Sequence, residues 1–176
     1  MFSERLASHR DEILKSWCDD ILGCYPEQGA LHLKRLGDPF ANPIGNTVSE
    51  VTGPLFDSLA EGRDSDDLEG LLDRIIRPRA IQDLLPSQAV GFMYRLKGIV
   101  LRVLESDPGI GPIDESSEFR EFANRVDEMG LAAFDVYMKC RENVFSIRLS
   151  ETRNRSLKAF ERLNEWQIRR DPSSTS

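Results

Sequence analysis

The sequence has little of what catalysis or metal binding requires. Its 176 residues hold two histidines and three cysteines. No ligand cluster accompanies His9 or His32, so both read as surface or partly packed side chains. A haem pocket would need a proximal histidine on a flanking helix, and these two lie too early in the chain. Cys18 and Cys24 stand about 240° apart on a helix and read as core or half-buried thiols. The net charge of −7 argues against general nucleic-acid affinity, which needs a basic surface. No run approaches the roughly 20 apolar residues that span a bilayer. The charged start Met1-Phe2-Ser3-Glu4-Arg5 is unlike a signal peptide, so a cytoplasmic protein is expected. No repeat of 20 to 50 residues and no sustained strand-like alternation is present.

What is present is helical periodicity. The pattern predicts an all-α domain, a single helical bundle of five to six helices with a long C-terminal helix. Helix one is expected over about Ser3–Cys24, with Leu6, Ile13, Trp17, Ile21 and Cys24 on one side, stopped by Tyr25-Pro26. A short piece around Gly29–Leu36 follows. The loop Asp38, Pro39, Phe40, Ala41, Asn42, Pro43, Ile44, Gly45 is stiffened by two prolines, with Asn42 as N-cap and Pro43 at the first helical position. The next helix runs to about Glu61, with an expected kink at Gly53-Pro54. After a polar turn come a helix through Leu68, Leu72 and Ile75, perturbed near its end by Pro78, and another from about Pro86. The segment from Asp107 to Pro112 is a breaker.

From about Asp114 to Arg169 there is no proline and one glycine, Gly130. A core stripe runs through Phe119, Phe122, Val126, Met129, Ala133, Val136, Cys140, Val144 and Ile147. It then meets Glu151, Asn154, Lys158 and Glu161, while Leu157, Phe160 and Leu163 resume out of phase. The expected organisation is a domain over 1–149, a helical extension over 150–170 and a loose tail over 171–176. Lys139–Asp171 holds nine basic and five acidic residues, so it is +4 and the remainder −11. That asymmetry points to a different partner for the C-terminal segment.

Motif by motif, chemistry is hard to find. Asp64-Ser65-Asp66-Asp67 lacks the glycine and distal glutamate of a calcium loop and fits helix N-terminal acids. Gly109-Ile110-Gly111 follows no strand and is no phosphate loop. Asp19 and Asp20 point about 100° apart and form no carboxylate pair. One cluster remains. The stripe Leu68, Leu72, Ile75 continues to Arg79, then to Gln82 or Asp83, so a charge enters the core. A buried arginine needs a partner, and Asp38 or Asp83 could supply it. Two readings stand: an ion pair locking the Asp38–Gly45 loop to the helix corner, or a polar recess for a small anionic or polar ligand using Asn42, Arg77, Arg79, Gln82 and Gln88.

Asp38-Pro-Phe-Ala-Asn-Pro-Ile-Gly45, Arg77-Pro-Arg-Ala-Ile-Gln82 and Pro86-Ser-Gln-Ala-Val90, with Trp17, Ile21 and Tyr25-Pro26 upstream, resemble the N-terminal domain of RsbRD-type regulators. These are stressosome-related co-antagonists of the RsbT kinase. The resemblance covers roughly residues 10 to 145. It implies an all-helical input domain, loosely globin-like and without haem. In full-length members the last helix leads into a STAS output domain, and none is expected within this sequence. Pro78 departs from the aliphatic residue the pattern would place there.

The functional expectation is a non-enzymatic sensory or regulatory domain without cofactor or metal. It is expected to form a homodimer through its last helix and to dock on a regulatory protein. Leu149, Leu157, Phe160, Leu163 and Trp166 would form the partner interface. The alternative is peripheral docking on a membrane complex through the basic C-terminal helix. An enzyme built on Arg79 and nearby carboxylates is disfavoured, because no acid–base pair can be assigned a geometry.

Overall fold

A computed structural model of the chain describes residues 2–25, 43–63, 67–106 and 116–170. Six helices lie among them: α1 (Phe2–Ser8), α2 (Arg10–Gly23), α3 (Pro43–Glu61), α4 (Leu68–Ile81), α5 (Pro86–Glu105) and α6 (Ser117–Arg170). No strand occurs among the described residues. The chain divides into two compact units, Met1–Met138 and Lys139–Ser176.

The first unit is a helical bundle whose core follows the 3.6-residue pattern. Leu6, Ile13, Trp17 and Ile21 are buried as expected, as are Leu72, Ile75 and Ile76 on α4 and Ala89, Phe92, Met93, Leu96 and Val100 on α5. From α6, Phe119, Phe122, Val126 and Ala133 join them. Phe2 meets the Phe119 and Phe122 rings edge-to-face, with centroids 6.0 and 5.8 Å away, and those two rings are tilted to each other at 6.4 Å. The ion pairs Arg10–Asp57, Arg95–Asp20 and Lys97–Asp127, at 2.8, 2.8 and 2.6 Å, strap α2 to α3, α5 to α2 and α5 to α6 on the outside.

Three arginines close this unit in the same way. A helix end leaves carbonyls without an N–H partner and carries partial negative charge, which a cation satisfies. Arg5 donates to the Leu104 carbonyl at 2.8 Å near the end of α5. Arg125 donates to Leu59 at 2.8 Å near the end of α3. Arg79 donates to Ile21 at 2.9 Å near the end of α2.

Several local expectations change. The first helix is two, broken at His9, whose backbone (φ −105°, ψ 11°) departs from helical values. Its ring lies 3.1 Å from the Arg5 carbonyl and 3.0 Å from Ser8 Oγ. Both α3 and α4 run through their internal prolines, Pro54 and Pro78. The core stripe of the last helix is shorter than expected. Cys140 is still buried, Val144 is half-buried, and Ile147 is 59% exposed. The short helix expected over 29–36, the breaker over 107–112 and the tail over 171–176 lie outside the described residues.

Gly62 ends α3 with φ of +65°, and its N–H reaches the Ser58 carbonyl at 3.0 Å. This left-handed geometry suits glycine. A Cβ there would also meet Arg125 Nη1 at 3.3 Å. Gly62→Ala should therefore lower stability by about 1 kcal/mol in a urea titration.

Candidate functional site

Among the described residues, Arg79 is the one charged side chain that the first unit wraps completely, at 0% exposure. It follows Leu72, Ile75 and Ile76 around the inner face of α4, one turn on. Among the described residues, backbone carbonyls meet it. Nη2 donates to Ile21 O at 2.9 Å, and Nη1 donates to Gln88 O at 3.1 Å and more weakly to Ala89 O at 3.4 Å. The guanidinium plane lies 4.9 Å from the Tyr25 ring centre and 4.9 Å from that of Phe92. Carbonyl dipoles, the negative end of α2 and two ring faces thus replace water around the cation. Nε has no partner. Asp83 is exposed, at φ 58°, and is not among the groups that accept from Arg79. Asp38 lies outside the described residues. Among the described residues the cation thus sits in a carbonyl cage tying α4 to α2 and α5.

Tyr25 shares this centre. Burial pushes its phenol above the ordinary value, and the Arg79 cation beside it opposes that rise without cancelling it. A raised folded pKa means the anion is disfavoured in the fold. The stability is whole below about pH 10 and drains away as pH climbs further. Tyr25→Phe should flatten the alkaline limb of a stability–pH curve without moving the neutral one. Urea midpoints at rising pH would show it.

Of the other residues expected to join Arg79, Gln88 meets it only through its backbone carbonyl, and the side chains of Arg77, Gln82 and Gln88 are turned elsewhere. Arg77, two positions away and about 200° around the helix, is exposed and holds Asp73 through two bonds of 2.9 Å. Gln82 is exposed beyond the end of α4, its N–H bonded to Pro78 O at 3.1 Å. Gln88 points outward, and its Oε1 accepts the Leu85 N–H at 3.1 Å, capping α5. Pro43 begins α3 and Gly45 is buried in its first turn. Asp38, Pro39, Phe40 and Asn42 lie outside the described residues.

Beside the cage is a cavity of about 170 Å³ lined by Tyr25, Ile44, Thr47, Val48, Arg74, Ile75 and Pro78. Its wall is mainly apolar, and Arg74 is engaged by Glu50. A second recess, about 250 Å³, lies against Gly62, Arg63, Arg125 and Glu128. Sequence reasoning missed both, because each draws its lining from several helices. No group of three or more His, Cys, Asp or Glu that could hold a metal occurs among the described residues. No described helix is long and apolar enough to cross a membrane.

The second unit, taken by itself, is helical from Lys139 to Arg170 and shows its apolar side chains. Phe145, Leu149, Leu157, Phe160, Leu163 and Trp166 are 51 to 69% exposed. Leu149, Leu163 and Trp166 share one face at three- and four-residue spacing with Phe145. Phe160 borders that face, and Leu157 lies off it. On the first unit Leu131, Phe134 and Met138 are exposed at the same spacing. Their i, i+3, i+7 pattern was legible, but the stripe on the opposite side of α6 had taken attention.

Helices packed on helices, with no strand among the described residues, define an all-α domain. The comparison with known families is specific. The model of the RsbT co-antagonist protein rsbRD N-terminal domain matches residues 11–152, and the chain belongs to that family. It is a regulatory sensor domain of stressosome-related signalling and not a known enzyme family. An uncharacterized protein of Archaeoglobus fulgidus is 26% identical over 149 residues, covering 81% of this chain and 83% of the relative. No solved structure matches the chain.

Proposed function

We propose that this chain is a regulatory signalling domain that acts by docking a protein partner, and that the docking surface is the exposed face of residues 145–166. The observation that supports it is the exposure of large apolar side chains there, above all Phe145, Leu149, Leu163 and Trp166 at 55 to 67%. Scattered apolar residues on a surface need no explanation, but a row along one helix face does. Helix-in-groove and helix-on-helix recognition both read anchors at this spacing. The first unit supplies the input part of the family to which the chain belongs. A small ligand, if the domain senses one, has the cavity beside Tyr25 as its place. That ligand would be mostly apolar, since Arg77, Gln82 and Gln88 face elsewhere.

Photo-cross-linking tests the docking reading. A photoreactive amino acid at Leu149 or Leu163, with exposed Leu85 as control, should give a protein adduct in the native cell from the first two positions only. Adducts with lipid alone, or equal yields from Leu85, would overturn it. The lipid result would favour the membrane reading instead.

A further inference from the structure

The charges around the docking face say what kind of partner it takes, and this step rests on the reading just given. In the second unit arginine recurs every seventh residue: Arg141, Arg148, Arg155, Arg162 and Arg169. Seven residues is two helical turns less about 20°, so these side chains form one ridge. The ridge runs immediately beside a seam spaced four, three, four, three. Phe145 opens it, Leu149 follows, Leu163 and Trp166 close it, and Thr152, Ser156 and Ala159 lie between. In heptad terms the seam residues are a and d, and the ridge is g. Ser146, Arg153, Phe160 and Gln167 fill the other flank, e. Neither flank holds an acid. Glu161 lies on the far side of the helix, while Glu151 and Glu165 stand behind the arginine ridge, away from the seam, where Glu165 comes within 3.9 Å of Arg169.

The middle of the seam is small rather than polar. Thr152 Oγ1 donates to the Arg148 carbonyl at 2.9 Å, and Ser156 Oγ donates to the Thr152 carbonyl at 3.1 Å. With both hydroxyls bonded to their own helix, burying them leaves no orphaned donor. What they and Ala159 present outward is a shallow stretch that accepts bulky side chains from opposite.

From this we infer that the second unit pairs with an amphipathic helix of another protein whose seam is apolar, bulky at its centre, and flanked by Glu or Asp. Flanking charges set partner choice in helix pairs. A second copy of this face is the wrong partner. Parallel pairing would set Arg148 against Arg153 of the other copy, and antiparallel pairing would set one arginine ridge against the other. An anionic membrane surface would attract the arginines, yet it favours a broad apolar face. Here the seam is narrow and carries three small residues at its centre.

The test uses the full chain and a designed four-heptad peptide with Leu at a and d and Glu at e and g. A peptide with Lys at e and g is the control, and phosphatidylglycerol vesicles are the third arm. The Glu peptide should bind, more weakly as salt rises, and at least about tenfold more tightly than the Lys peptide. Arg155→Glu with Arg162→Glu should reverse that preference while leaving the melting temperature of the first unit in place. Equal binding of both peptides would overturn the acidic-partner inference and leave the docking reading standing. Binding to vesicles or to a second copy through this seam, with neither peptide bound, would overturn both.

Discussion

Arg79→Ala should lower the unfolding free energy by about 3–5 kcal/mol. The change deletes one of the largest side chains wholly inside the first unit. It leaves a void between the Tyr25 and Phe92 rings and removes the donor that crosses from α4 to Ile21 and to Gln88. Hydrogen bonds from a charged donor contribute about 1.5–3 kcal/mol each, against which stands the cost of keeping a cation dry. Arg79→Lys separates the terms. Lysine keeps the charge but offers one compact ammonium, which cannot reach carbonyls on two helices and lie flat between two rings. It should recover less than half of the loss. Denaturant unfolding would read both variants, and a chain this size should lose roughly 10 °C for the alanine change. An alanine variant as stable as the parent would mean that the cage contributes nothing.

Trp17→Ala should cost about 3–5 kcal/mol as well, for a different reason. Its indole is wholly buried, 6.1 Å from the Phe92 ring, and its Nε1 donates to Phe92 O at 3.0 Å. Alanine removes the ring and the bond together. Trp17→Phe keeps most of the apolar volume and should cost about 1–2 kcal/mol. The two sites share Phe92, one through its ring and the other through its ring and carbonyl. The double variant should therefore fall short of the sum of the single losses. Additive losses in a double-mutant cycle would contradict the shared packing.

The fold was largely written in hydrophobic spacing. Leu6, Ile13, Trp17 and Ile21 recur at helical intervals, and so do the buried residues of α5, because burial of one stripe dominates short helices. The break at His9 was not legible, since Ser8-His9 carries neither proline nor glycine and the apolar phase continues across it. The prolines read as perturbations inside helices, and α3 and α4 do continue through Pro54 and Pro78. For the site, the intrusion of Arg79 into an apolar stripe was visible. The carbonyls that meet it were not, because backbone carbonyls carry no sequence signal. Arg77, Gln82 and Gln88 lie near Arg79 in sequence but on other sides of their helices. Leu149, Leu163 and Trp166 stand out in the sequence because they are large. The arginine ridge beside them does not, because its period of seven competes with two other apolar phases in the same segment.

On the docking proposal, the face around Trp166 stands open in the isolated protein and closes only over another protein's helix. The chain holds two tryptophans, so Trp17→Phe leaves Trp166 as the single emitter. Its fluorescence should be that of an indole in water, fully quenchable by acrylamide, and identical at every protein concentration. It should move to shorter wavelength when the acidic heptad peptide is added. Emission that is already blue-shifted and protected in the isolated chain, and that reddens on dilution, would contradict the account.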